Sequence, residues 1–133
     1  MSRTVGQMVA EATAAVPAIS AKDLEQWMKE NPNALLIDVR DSAQANAESI
    51  PGAINIDYGD LLFAADNEVP EEWRDPRLQD RSRLIVTHCV LGPLGAIAAK
   101  TLQDMGFTNV RYLEGGVEAW KTAGLPIEQP RNS

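Results

Sequence analysis

The chain has one cysteine, Cys89, and one histidine, His88, and the two are neighbours. A single cysteine excludes an intrachain disulfide and any multi-cysteine metal site. Positive charge is also scarce: 12 Lys and Arg stand against 19 Asp and Glu, a net charge of −7. That balance argues against nucleic acid or an anionic membrane as a partner. It leaves room for a small anion, because a local cradle of backbone N–H groups can outweigh a distant net charge. Aromatic residues are only 5% of the chain, so the core must rest on Leu, Ile, Val and Ala. No apolar run approaches membrane-spanning length. Residues 1–16, MSRTVGQMVAEATAAV, lack the continuous apolar stretch of a signal peptide. Together these shortages predict a soluble, cytoplasmic protein. At 133 residues the chain is the size of one domain with a moderate core.

What is present is organised around residues 84–105, LIVTHCVLGPLGAIAAKTLQDM. The β-branched run 84–87 suits a strand covered on both faces. Leu94, Ile97, Ala98, Thr101, Leu102 and Met105 then fall at helical spacing, and all but Thr101 are apolar. Pro93 fits the first helical position, where a missing N–H costs nothing. Gly106 fits the position just past the end, where left-handed backbone is needed. Cys89 is thus expected in a loop of N–H groups close to a helix N-terminus, a setting that favours a thiolate. Gly92 and Gly95 let the backbone approach whatever the sulfur carries.

The rest of the chain alternates helices with strands. Val5, Met8, Val9, Ala12 and Val16 make a helical stripe ended by Pro17. This helix is expected to pack on the outside of the domain; a dimer or partner contact and a disordered terminus are the alternatives, and monomer and homodimer both stay open. Ala18 and Ile19 suit a very short edge strand. Ser20 to Asp23 has a capping-box pattern, and Leu24, Trp27 and Met28 form the buried face of the helix that follows. Residues 34–39 have the continuous apolar run of a central parallel strand, with Asp38 near its end. A carboxylate there is either paired or faces the site, and pairing is the expected role. Residues 42–48 suit a short helix, 53–56 a short strand, and 58–66 a helix with Leu61, Leu62 and Phe63 inward. Residues 67–83 form a polar connection with one short helix at most. A strand over 109–113 and a helix opened by Gly115 and Gly116 complete the pattern, with a tail over 129–133. Such alternation predicts an α/β fold, a parallel sheet with helices on both faces. Ligands of such sheets sit at the carboxyl ends of the strands, where Cys89 falls.

Four segments in this order carry a resemblance: LLIDVRD (35–41), IPGAINI (50–56), the strand–Cys–loop–helix around Cys89, and YLEGGVEAWKTAGLPI (112–127). The chain resembles the single-domain rhodanese family over about residues 19–127. The resemblance implies a rhodanese-like fold with a central five-stranded parallel sheet over residues 17–128, preceded by a helical extension over 1–16. It also implies sulfur transfer through a persulfide on Cys89. A sulfane-sulfur donor (thiosulfate or a persulfide) loads the cysteine, and cyanide, a small thiol or a sulfur-relay protein accepts. The loop backbone of Val90, Leu91, Gly92, Leu94 and Gly95 is the implied substrate cradle, and Asp38 and Arg40 the implied electrostatic or structural support. No metal or organic cofactor is implied.

Two positions depart from the family. Its frequent loop pattern is C-x-x-G-x-R-S, whereas here Leu94 stands at the Arg position and Gly95 at the Ser position. Losing a charge-assisted bond to a sulfonate costs roughly 1.5–3 kcal/mol. The loop therefore suits a persulfide donor better than thiosulfate. Before the IPGA segment, Glu48-Ser49 replaces the usual Gly-His, with little effect expected on chemistry. His88 is expected to be a packed core histidine, because neighbours on a strand point to opposite faces. Arg40 and Arg111 lie near sheet ends; Arg40 is expected to pair with a carboxylate. Two other functions compete with an active sulfurtransferase. One is a rhodanese-like binding, relay or sensing module of low activity. The other is phosphatase or arsenate reductase chemistry, which needs an Arg six residues after the cysteine, where Gly95 stands.

Overall fold

In a computed structural model that describes residues 2–130, the apolar runs become strands and the periodic segments become helices. In chain order they are α1 (Val5–Ala15), β1 (Ala18–Ile19), α2 (Ala21–Glu30), β2 (Leu35–Asp38), α3 (Ser42–Ala47), β3 (Ile54–Asn55), α4 (Tyr58–Ala64), β4 (Ile85–His88), α5 (Pro93–Asp104), β5 (Val110–Leu113) and α6 (Gly116–Thr122). The five strands form one sheet in the order β1-β5-β4-β2-β3, and every neighbouring pair is parallel. β4 is therefore the central strand, buried along its whole length.

Alternation along the strands sorts the core into two faces. Leu35, Ile37, Val39 and Ile85 pack with Leu61 of α4 and Ala98, Ala99 and Leu102 of α5. Leu36 and Val86 pack with Leu24 of α2 and Val117 and Trp120 of α6. Helices thus cover both faces, as the alternating pattern requires. α1 lies against α5 through Ala12, which is fully buried, while Val5 and Met8 stay exposed. Its start is a full capping box between Thr4 and Gln7, a signal the sequence reading passed over. At α2 the Ser20 side chain accepts a bond from the Asp23 N–H.

The structure corrects two expectations. Leu61 is fully buried, but Leu62 and Phe63 are 38% and 50% exposed. Three consecutive apolar residues span most of a helical turn and cannot all face inward, and Leu61 takes the core side. Phe63 instead packs edge-on against Trp73, their ring centres 6.0 Å apart. The polar connection over 67–83 also holds more structure than expected. It carries two 3₁₀ turns, Glu71–Trp73 and Pro76–Leu78, and Leu78 is a fully buried core residue. Of the tail expected over 129–133, residues 131–133 lie outside the described residues.

Candidate active site

The site begins where β4 stops. Cys89 follows the last strand residue, and the chain then turns through residues 90–92 into α5. Two features of the sequence make that turn possible. Gly92 adopts φ +116°, in the left-handed region, and α5 starts on Pro93 with no side chain capping it. The N–H groups at the start of α5 therefore stay free of an internal cap. Two of them are used on the sulfur: the Gly92 and Gly95 N–H groups each donate to Cys89 Sγ at 3.2 Å. Pro93 contributes none. Cys89 is 5% exposed.

The loop is held from behind by α6. The Val117 N–H donates to the Cys89 carbonyl at 2.9 Å, and the Glu118 N–H to the Val90 carbonyl at 3.1 Å. These bonds turn two carbonyls away from the sulfur, where they would repel a thiolate or persulfide. The approach requires glycine. A Cβ at Gly116 would stand 2.4 Å from the Val90 carbonyl oxygen and 2.6 Å from that of Cys89. A Cβ at Gly95 would stand 3.0 Å from His88 Cα, so α5 would have to back off the strand. Thr87 locks the same junction by donating its hydroxyl to the Gly95 carbonyl at 2.6 Å.

Asp38 and Arg40 meet at the end of β2. The Arg40 Nε lies 2.9 and 3.1 Å from the two Asp38 carboxylate oxygens, and its Nη2 lies 2.7 Å from Oδ2. The same Nη2 donates to the Glu48 carbonyl at 2.7 Å. Both side chains are buried. The guanidinium therefore neutralises Asp38 and ties the start of the next loop to the strand. The departure at Glu48-Ser49 is absorbed locally: Ser49 and Glu128 exchange backbone bonds at 2.8 and 2.9 Å, and Glu48 pairs with Lys121. Arg111 lies over the Trp27 ring at 5.6 Å.

His88 is fully buried and stands opposite Asp38 in the β2–β4 register. It follows Val86 on the α2/α6 face, whereas Cys89 follows Ile85 into the α5 face. Its Nδ1 lies 3.4 Å from the Cys89 carbonyl oxygen, and its Nε2 has no partner among the described residues. Burial pushes its pKa below the usual 6.5, against the opposing pull of Asp38. The recorded contact of the ring is to the Cys89 carbonyl oxygen and not to the sulfur.

Above Cys89 opens a pocket of about 460 Å³. Val90, Leu91 and Leu94 form its loop side, and Leu91 is 65% exposed at the rim. The opposite wall comes from other strand ends: Val39, Asp41, Gln44, Asp57 and Tyr58. Asp41 caps α3 through the Gln44 N–H, and Asp57 caps α4 through the Gly59 and Asp60 N–H groups. Tyr58 is fixed by a 2.8 Å bond between its hydroxyl and that of Thr101. Sequence reasoning missed this wall. Its signal was an Asp directly before the helices that follow β2 and β3, which places a cap at the carboxyl edge of the sheet. Among the described residues no cluster of His, Cys, Asp and Glu could hold a metal, and no helix is long and apolar enough to cross a membrane.

The chain is similar to known proteins. A family model described as "Rhodanese-like domain" matches residues 20–123. The human thiosulfate:glutathione sulfurtransferase is 30% identical over 80% of this chain and 95% of its own length. The adenylyltransferase and sulfurtransferase UBA4 of Candida albicans is 31% identical over 77% of this chain, but the chain spans only 23% of that relative's length. Among solved structures, a protein of unknown function from Rhodopseudomonas palustris CGA009, described as a possible tyrosine phosphatase, superposes with a TM-score of 0.87. It is 32% identical and covers 96% of both chains.

Proposed function

The chain belongs to the rhodanese-like domain family, and on that premise we propose that it is a sulfurtransferase working through a persulfide on Cys89. The observation that carries the proposal is the pair of N–H groups, from Gly92 and Gly95, aimed at Cys89 Sγ on the floor of an open pocket. These donors stabilise the attacking thiolate and, after transfer, the anionic persulfide. With thiosulfate, the Cys89 thiolate attacks the sulfane sulfur, the sulfur–sulfur bond breaks, and sulfite leaves with the electron pair. With a persulfide R–S–SH, the leaving group is R–S⁻. In the second half, cyanide or a thiol attacks the outer sulfur of Cys89–S–S⁻ and regenerates the thiolate. Val90, Leu91 and Leu94 shape the loop side of the pocket, and Asp38 with Arg40 fixes the neighbouring strand end.

The relatives' names supply thiosulfate as donor and glutathione as acceptor. The loop of this chain supports a persulfide donor more than thiosulfate. Leu94 offers a sulfonate no charge, and Arg40 is committed to Asp38 and the Glu48 carbonyl. The same geometry speaks against phosphatase chemistry, since the sixth residue after the cysteine is Gly95 and supplies an N–H rather than a guanidinium. The test is intact mass after incubation with thiosulfate or with glutathione persulfide, with Cys89→Ser as control. One added sulfur on the native chain, lost on adding cyanide or thiol, is the expected result. Loading without release would favour a sensing or relay module, for which the uncharged loop is the motive. No added sulfur from any donor would sink the enzyme reading.

A further inference from the structure

We infer that the Asp41 and Asp57 carboxylates set the donor specificity of this pocket, disfavouring donors with an anionic body and favouring a persulfide whose carbon skeleton carries a cation. The inference rests on the proposed role of Cys89. Three helices start around the pocket, and they are capped in different ways. α5 begins at Gly92 with no capping side chain, so its N–H groups are left for the sulfur. α3 and α4 begin at Asp41 and Asp57, whose carboxylates accept from the Gln44 N–H of α3 and from the Gly59 and Asp60 N–H groups of α4. An incoming sulfonate or carboxylate finds no free helix start there and meets negative charge instead.

The one cation on the lining does not offset this. Arg40 spends its charge on Asp38, with Nη2 2.7 Å from Oδ2 of that carboxylate. Among the described residues neither Asp41 nor Asp57 forms an ion pair. The pocket therefore treats the two ends of a donor differently. At the floor, backbone donors accept anionic sulfur. At the wall, Asp41 and Asp57 bring two negative charges to the lining, and Val39 and Leu94 accept an apolar stem. A persulfide with an ammonium or guanidinium a few bonds from the sulfur satisfies both ends. In the transfer the Cys89 thiolate attacks the outer sulfur of R–S–SH. The S–S bond breaks, R–S⁻ leaves with the electron pair, and the proton stays on the transferred sulfur. Such a donor is either a small aminothiol persulfide or a protein cysteine persulfide flanked by basic residues.

The experiment is single-turnover loading of Cys89, followed by intact mass, with donors of matched size and opposite charge: cysteamine persulfide and thioglycolate persulfide. Cysteamine persulfide is expected to load about tenfold faster at low ionic strength, and salt should narrow the gap. In the Asp41→Asn/Asp57→Asn double variant the ratio should fall toward unity, because Asn keeps the helix caps while removing the charges. Should the double variant not fold, each single variant must lower the ratio by part of that amount. Glu30→Gln, a charge change at the exposed last residue of α2, should leave the ratio unaltered. Two persulfidated peptides, one with lysines and one with glutamates beside the cysteine, separate the sources. A preference for the lysine peptide points to a protein donor, and discrimination confined to the small donors points to a small molecule. Equal loading of the two small donors by the native chain, or a ratio unchanged in a folded double variant, overturns this specificity assignment alone. No loading from any donor overturns the Cys89 reading and takes this one with it.

Discussion

The carboxyl ends of β2 and β4 lie side by side, with Asp38 and His88 in register, yet they manage charge in opposite ways. At the end of β2 a carboxylate is buried and answered by a side chain: the Arg40 guanidinium closes on Asp38 through Nε and Nη2. At the end of β4 a sulfur is answered only by backbone, through the Gly92 and Gly95 N–H groups. A side-chain pair satisfies itself and serves the fold. A backbone cradle has no counter-charge of its own, so it stays open to an anion brought by the substrate. On the proposed function, the two ends of this one sheet edge divide the labour between stability and chemistry.

The widest break in that comparison comes from removing the guanidinium. Arg40→Ala leaves Asp38 charged, buried and unpaired, and stability should drop by about 3–5 kcal/mol. Urea denaturation at neutral pH measures it. A loss under about 1 kcal/mol would mean that the pair contributes little and that water reaches Asp38. Next in size is Gly116→Ala on the backbone side. The new Cβ would meet two carbonyl oxygens at 2.4 and 2.6 Å, and the residue sits at φ +62°. Strain of that kind costs about 1–3 kcal/mol. More to the point, relief of the clash must push the loop off α6 and spoil the aim of the N–H groups. Sulfur loading should therefore fall further than stability does, about tenfold or more in rate. Equal loss of both would make Gly116 a packing residue only.

Much of this division was legible in the sequence. Short, mostly apolar runs between the helical segments marked all five strands to within about two residues, the usual uncertainty of element ends. Cys89 fell at the end of the central one, with Pro93 and Gly92 marking the turn into α5. Pairing of Asp38 with a cation followed from the cost of burying a carboxylate alone. The far wall of the pocket was not legible, because Asp41, Gln44, Asp57 and Tyr58 reach Cys89 only through the strand order. Nor was the grip of α6 on the loop, since a Gly-Gly pair before a helix looks like an ordinary helix start. Leu78 was hidden for another reason: one buried leucine in a polar connection has no periodic partner to reveal it.

A gain of function sharpens the contrast next. Leu94→Arg would place a guanidinium on the pocket lining, where the loop now has only backbone to offer. The added charge-assisted bond should improve thiosulfate binding by roughly 1.5–3 kcal/mol, or about tenfold to a hundredfold, with little change for an uncharged persulfide. The ratio of loading rates with the two donors is the measurement. An unchanged ratio would show that the sulfonate does not pass residue 94.

The smallest effect is expected at His88, which belongs to neither arrangement. It stands in register with Asp38, its Nδ1 lies 3.4 Å from the Cys89 carbonyl oxygen, and its Nε2 is unpartnered among the described residues. Burial keeps the folded-state pKa below the usual 6.5. Between that depressed value and 6.5 the unfolded chain binds a proton that the folded chain refuses, so stability falls as pH drops through this window. Above 6.5 both states are neutral and the residue contributes no slope. His88→Gln should flatten the decline below about pH 6.5 while leaving sulfur loading at pH 7 largely intact. If loading collapsed at pH 7 in a folded His88→Gln protein, the histidine would be part of the chemistry at the β4 end, and the division between a paired strand end and a backbone-only one would fail.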